Sequence, residues 1–431
     1  MKDDNILFGR IRKVASNIKD LFFYITGQPN QYAEFRRFLE NIHPATWEKQ
    51  LAIYAWLDEQ AGKAATEQYD IFHESRDPLV RLGYELRDKV LSKFRQAKAT
   101  TPNNYRIAIF VPDYAATAAG HSWFMNISAG LEYLGIPVAR WHQGTPIQSV
   151  LDDFRPTIIL ANDGEEYHPD GYLEYLGLNA IREYRKSNKL RIGLVASPYP
   201  KSKMSLTARL AHSRRLGIDF YYSFQAPDFI SRHHTGYRDA GFHVLTLEFG
   251  ANPLVYYPVP GVEKDLDFVF LGSAHFEKWC QYSSYFGRVM TECPGFLVGS
   301  YWPKAIRNRV AEPLHRYAYS RARVGLNLHV PFQLEDATEL NERAYNLAAC
   351  GVPQLIDAPK LLPKRFRPGS LFVGRTPTEY ADQFQRILAS PEEARDRAVS
   401  ALEDVLARHT VFHRAESLLE QLKCMEEAGG W

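Results

Sequence analysis

The chain has few cysteines, no long apolar run and almost no net charge. Its four cysteines in 431 residues (Cys280, Cys293, Cys350 and Cys424) include no C-x-x-C pair, which excludes both a disulfide framework and a zinc knuckle. No stretch approaches the roughly 18 to 20 apolar residues needed to span a bilayer, and the start MKDDNILFGRIRKVASNIKD lacks the apolar centre of a secretory signal. A cytoplasmic location is the expectation. Formal charge is only +2, so no broad basic field exists to hold a phosphate backbone, and nucleic acid is not an expected partner. What is present is ordinary globular material, 45% apolar and 24% charged. The chain is too long for one core, since cores stop growing at roughly 250 to 300 residues. Two or more domains follow.

Residues 1–102 read as a helical extension without strand-like alternation. Its first segment carries the stripe Leu7, Ile11, Val14, Ile18 and Leu21, flanked by basic residues. Such a stripe packs on the rest of the protein, could lie on the inner membrane face, or could join a second copy. Helices are expected near 31–42, 45–61 and 78–98, with Pro44 and Pro78 at helix starts. From Ile107 the texture changes. Short apolar runs (107–111, 156–163, 191–198, 219–225, 243–253) alternate with helix patterns through a first unit, 103–258. Tyr256 to Lys264, with two prolines and a glycine, marks a linker. A second series (267–273, 295–300, 323–329, 353–357, 370–374) fills 259–408. The rhythm predicts an α/β chain with two tandem Rossmann-like domains, whose ligands lie beyond the carboxyl ends of the strands.

The segment NERAYNLAACGVPQLID (341–357) places a helix between a loop and a buried strand. A helix N-terminus offers unpaired N–H groups, and Arg343 in the first turn adds a planar fork of donors, so this is an expected anion site. Gly351 is the expected left-handed stop of that helix.

The run LNLH, then N-x-R-x-Y-x-x-x-A-C-G, PQLID and HTVFHRAESLLEQL, preceded by EFGANPLVYYP and DLDFVFLGS, resembles the carboxyl half of CgeB-like, group-1-type glycosyltransferases of the GT-B fold. The resemblance covers about 243–422. It implies transfer of a sugar from a nucleotide-diphosphate donor, held by the C-terminal domain, to a glycan, lipid-linked or protein acceptor held by the N-terminal domain. It implies no metal and no cofactor beyond the nucleotide sugar, with basic side chains and helix dipoles neutralising the departing diphosphate. Arg343 matches the arginine of the family's N-x-R motif, beside Asn341 and Glu342, and Gly272 and Ser273 match its first strand-end loop. Ser300, Tyr301 and His329, at later strand ends, would line base and ribose. The closing helix, 409–431, would cross back onto the first domain. Related enzymes carry a glutamate five residues before the glycine of A-C-G, bonded to the donor ribose; here that position is Asn346.

In the first domain the loop PDYAATAAGHSWF offers His121, Asp113 and the small Gly120 for the acceptor, and ANDGEE offers Asp163 and Glu165. His121 suits proton transfer near neutrality, and the carboxylates are alternative bases that are otherwise helix caps. Asp265-Leu266-Asp267 has a D-x-D spacing but precedes its strand, at the end away from the expected cleft. His233 and His234 point about 100° apart on a helix and are expected to be solvent exposed. Two rival functions remain: a nucleotide-sugar epimerase of the same fold, and a nucleotide- or glycan-binding protein without catalysis.

Overall fold

The structure, a computed structural model, describes residues 29–64, 75–98, 104–114, 118–142, 144–162, 177–196, 205–275, 278–303 and 305–429. The amphipathic stripe at 7–21, Asp163 and Glu165 lie outside these residues.

The first lobe is built on six parallel strands: β1 (Ile107–Phe110), β2 (Val138–Trp141), β3 (Ile158–Ala161), β4 (Arg191–Val195), β5 (Phe220–Ser223) and β6 (Val244–Thr246), in the order β2-β1-β3-β4-β5-β6. All four β1 residues are buried, because helices cover both faces of the sheet. In register, Ile107 faces Val138 on one side and Ile158 on the other. The second lobe has five parallel strands, β7 (Leu266–Leu271), β8 (Gly295–Val298), β9 (Ala322–Asn327), β10 (Gln354–Ile356) and β11 (Phe372–Val373), ordered β11-β10-β9-β7-β8. Two parallel sheets with the switch points β1/β3 and β7/β9 place strand ends at the inner mouth of each lobe.

The helices before the first sheet belong to the second lobe's core. In α1 (Pro29–Glu40), Phe35 stacks on Trp279 with centroids 5.2 Å apart. In α2 (Pro44–Ala64), the Tyr54 hydroxyl donates to the Leu297 carbonyl at 3.0 Å and accepts from the Arg307 amide at 2.8 Å, while Asp58 takes both ends of the Arg307 guanidinium at 2.8 Å. The next helix, α3 (Pro78–Lys98), joins the lobes. Its Gly83 abuts Pro258 of the linker so closely that a methyl there would collide with the ring. Buried Arg87 donates to the Pro253 carbonyl at 2.6 Å and lies over Tyr257, and Phe94 meets Phe412 edge to face.

The first helix after β1 is α4 (Ala118–Tyr133). In the second lobe α5 (Glu312–Ser320), α6 (Glu342–Ala349), α7 (Pro377–Ala389) and α8 (Pro391–Arg408) follow. The last helix, α9 (Val411–Glu427), returns to the first lobe: the Ala251 amide donates to the His409 carbonyl at 3.0 Å, the Ala251 carbonyl accepts from the Val411 amide at 2.9 Å, and the Gln421 amide bonds both backbone groups of Thr246. Gly130 of α4 sits against the Val411 carbonyl, where a methyl has no room. Among the described residues no helix is long and apolar enough to cross a membrane.

His234 departs from expectation. It is buried, with Nε2 on Gln225 Oε1 at 2.7 Å, and burial pushes its pKa down to about 4. The helix pattern 227–240 breaks into Pro227–His233 and Thr235–Asp239, which turns this ring inward while His233 reaches Asp336 at 2.9 Å.

Candidate functional site

A cavity of about 300 Å³ opens between the lobes at the carboxyl ends of β7 and β8 and the N-termini of α5 and α6. Local sequence builds its floor. Gly299, at the end of β8, has φ +145°, and a Cβ there would strike the backbone of Gly272, so the two strand ends approach as only glycines allow. Asn341 caps α6 by accepting from the Ala344 amide at 3.1 Å, and its own amide group donates to Asn327 Oδ1 at 2.8 Å and to the Leu328 carbonyl at 3.1 Å.

Arg343 follows immediately. Its Nε donates to the Leu271 carbonyl at 2.8 Å, Nη1 donates to Asn327 Oδ1 at 3.1 Å, and the plane lies 4.3 Å over the Phe270 ring. These contacts hold the guanidinium still and leave its Nη2 edge beside Gly272, where a side chain would overlap it. A rigid fork with spare donors at a cavity wall suits an oxyanion. Lys278 also lines the cavity.

Gly272, Ser273, Asn341, Glu342, Arg343 and Asn346 therefore converge on one cavity. Three other residues expected beside them do not line it. His329 is fully buried: Nδ1 donates to Asp357 Oδ1 at 2.6 Å and Nε2 accepts from the Asn341 amide at 3.2 Å. It braces the loop that leads into α6 rather than touching a base or ribose. Tyr301 is 67% exposed at positive φ, against His275, and the neighbouring Ser300 uses its carbonyl to accept from the Ala274 amide. Asn346 is buried, donates to Glu342, and has an Oδ1 without a partner.

From the first lobe, Tyr114, Ala119 and Ser122 complete the wall; Gly120 and His121 between them do not line it, and Asp113 stands exposed outside it. His121 Nδ1 donates to the Pro112 carbonyl at 2.9 Å, with its ring 5.5 Å from Tyr114, and its charge bears on Glu312. Glu312 was missed in the sequence. It opens α5, lines the cavity and bonds Ser122 and Asn126 across the lobes. Asn126 also donates to Glu342 Oε1 at 2.9 Å and accepts from Asn252 at 2.9 Å. The result is two carboxyls sharing one amide in a sparsely solvated cleft. Burial, and for Glu342 also the neighbouring Glu312, hold both above the ordinary carboxylate range. His315, another missed lining residue, is pushed down to about 4 by burial, and its ring nitrogens engage the Val310 carbonyl and the Tyr256 hydroxyl.

The D-x-D pair serves the surface. Asp265 accepts from Arg321 Nε at 2.8 Å and Asp267 from Arg323 at 3.3 Å. Glu339 accepts from Gln333 at 2.8 Å. No group of three or more metal-ligating side chains occurs among the described residues.

Comparison with known proteins agrees with this architecture. Sucrose-phosphate synthase from Thermosynechococcus elongatus superposes with a TM-score of 0.50 at 13% identity, over 75% of this chain and 100% of that one. An alpha-glucosyltransferase (AGT) in complex with UDP superposes with a TM-score of 0.50 at 12% identity, again over 75% and 100%. A T4 phage BGT bound to UDP and Mn2+ gives 0.49 at 13% identity, over 74% and 98%. No curated relative matches the chain in sequence. Residues 271–420, the stretch that carries Arg343 and both cleft carboxyls, match the family model described as glycosyl transferase-like, and the chain has the two-lobed GT-B fold.

Proposed function

We propose that the cleft takes a nucleotide-diphosphate sugar and that the protein moves the sugar to a hydroxyl of a glycan, lipid-linked or protein acceptor. The immobilised Arg343 at the mouth of α6 carries this reading. Its free edge, the helix N-terminus and Lys278 together supply the positive field that a diphosphate requires as it departs. The dipole contributes about 0.3 to 1 kcal/mol, up to about 2 when partly buried, so the side chains carry much of the selectivity. No metal is invoked in this reading. The match of 271–420 to a glycosyl transferase-like family supports the same assignment.

In the step itself the bond from the sugar's anomeric carbon to the diphosphate oxygen breaks, and a bond to the acceptor oxygen forms. The acceptor proton passes to Glu312, whose carboxyl faces the first lobe through Ser122 and whose raised pKa makes it a stronger base than an ordinary carboxylate. Glu342 keeps its own proton, so the site does not meet the incoming diphosphate with two negative charges. His121, held by its bond to the Pro112 carbonyl, stands behind Glu312 as a positioning group. Asn346 Oδ1 is the acceptor for a ribose hydroxyl.

The test is calorimetry with nucleoside diphosphates, followed by product analysis with sugar nucleotides. Wild type binds and Arg343→Ala does not, the variant melting cooperatively at a modestly lower temperature because it loses the contacts to Leu271, Asn327 and Phe270; equal affinity in the variant removes the phosphate site. Turnover of the donor alone to an isomer would instead assign an epimerase, and tight binding without turnover across a broad acceptor panel a non-catalytic binder.

A further inference from the structure

A second cavity, of about 530 Å³, lies behind the cleft where α3, the interlobe linker, the loop after α6 and the α7–α8 junction meet. This volume falls within the roughly 300 to 1,000 Å³ of ordinary small-molecule sites. Its walls are largely apolar, with Leu79, Val80, Val259, Val262, Ile387 and Leu388 facing inward. Three cations also line it, and two of them are matched: Arg395 bonds Asp77 at 2.6 Å and Arg323 bonds Asp267 at 3.3 Å. Lys264 is different. The residue is exposed at the cavity's edge, its ammonium donates to the Ala322 carbonyl at 3.1 Å, and among the described residues it forms no ion pair, although the Asp77 carboxylate on the same wall acts on it. Burial pushes its pKa down to about 8, against the opposing pull of Asp77, so near neutrality it still carries its charge. An ammonium has three donors, and two remain for a ligand.

We propose that this cavity binds a small carboxylate with an apolar tail, the tail against the Leu79–Val262–Leu388 wall and the carboxylate on Lys264. A neutral apolar molecule would leave the two spare donors of the ammonium unused, and a small hydrophilic anion would leave the walls uncovered. The site stands at the far end of α6 from the cleft. Gly351, which ends that helix at φ +65°, lines this cavity, while Glu342 and Arg343 at its start line the other.

The experiment is calorimetric titration of the full chain with decanoate below its micellar range, against decanol and acetate. One saturable decanoate site per chain is expected, with acetate silent and decanol weaker by at least about tenfold, the scale of one charge-assisted hydrogen bond. Lys264→Met should weaken decanoate by a similar factor, Lys264→Arg should retain it, and Val262→Trp, which fills the rim, should abolish it with the melting temperature unchanged. The proposal is overturned by absent or non-saturable decanoate binding, by decanol binding equally well, or by full affinity in Lys264→Met. Lys264-dependent binding to anionic phospholipid vesicles without binding of free decanoate also overturns it, in favour of a membrane contact. None of these readouts depends on nucleotide binding in the cleft.

Discussion

Gly272→Ala tests the geometry of the cleft with one methyl group. A Cβ at this position overlaps Arg343 Nη2 and presses on its central carbon and on the Phe270 ring. The backbone there is not at positive φ, so the strand end tolerates alanine, and the guanidinium, at the tip of a flexible side chain, is what yields. In moving it gives up its bonds to the Leu271 carbonyl and Asn327 Oδ1 and its seat on Phe270. Bonds of this charged type contribute about 1.5 to 3 kcal/mol each when nothing replaces them, but the displaced arginine reaches solvent in the cleft. The stability loss should therefore stay near 1 to 2 kcal/mol. Binding pays more heavily: a fork pointed elsewhere loses one charge-assisted bond to phosphate, about 1.5 to 3 kcal/mol, or roughly ten- to a hundredfold in Kd. Calorimetry with UDP, alongside a thermal melt, separates the two effects. Undiminished UDP affinity in a folded Gly272→Ala protein would show that the Arg343 edge does not meet the ligand, and the anion site would have to be placed elsewhere.

Glu342→Gln should flatten the pH dependence of stability. The raised pKa means that the folded protein keeps a proton the unfolded chain releases, so this contribution is complete below the ordinary carboxylate value and is lost as pH rises toward the raised one. Denaturant melts from pH 5 to 8 should slope downward in wild type and less so in the variant, and parallel slopes would contradict a protonated Glu342 in the cleft. Asn346→Glu sets a third carboxyl against Glu342, so the variant should lose stability at pH 8 relative to pH 5, by urea titration. Glu312→Gln should lower kcat by about 100-fold or more while leaving UDP affinity within a few fold, and a kcat near wild type would remove Glu312 as the base. Asp357→Asn disturbs the bond that sets the His329 ring, and with it the Asn341 amide, so UDP affinity should fall although the residue is remote from the ligand.

Local signals made much of this visible in the sequence. Ile107–Val111 is apolar throughout because both faces of β1 are covered, and Pro78 and Gly351 punctuate helices where proline and glycine are favoured. Arg343 stands in the first turn of its helix, as the sequence expects, and lines the cleft. Other features depend on separations no local pattern records. Glu312 reads as an ordinary helix-opening acid until the lobes bring Ser122 and Asn126 to it, some 190 residues earlier in the chain. His329 ends a strand, as a ligand residue would, yet Asp357 on the adjacent strand draws it into the interior. The strand Val138–Trp141 passed unnoticed because VARW places an arginine inside a short run, whereas the run 370–374 contains the two-residue β11. The helical stretch from Trp279 to Glu292 is interrupted by a π-helical turn at Tyr282–Phe286, where Tyr282 and Phe286 stack flat against one another.

The helix α3 gives the molecule a brace. One end is fastened to the linker through Gly83 and Arg87, the other to the returning α9 through Phe94, so a wide swing of one lobe against its neighbour would have to tear out a buried arginine and an aromatic contact together.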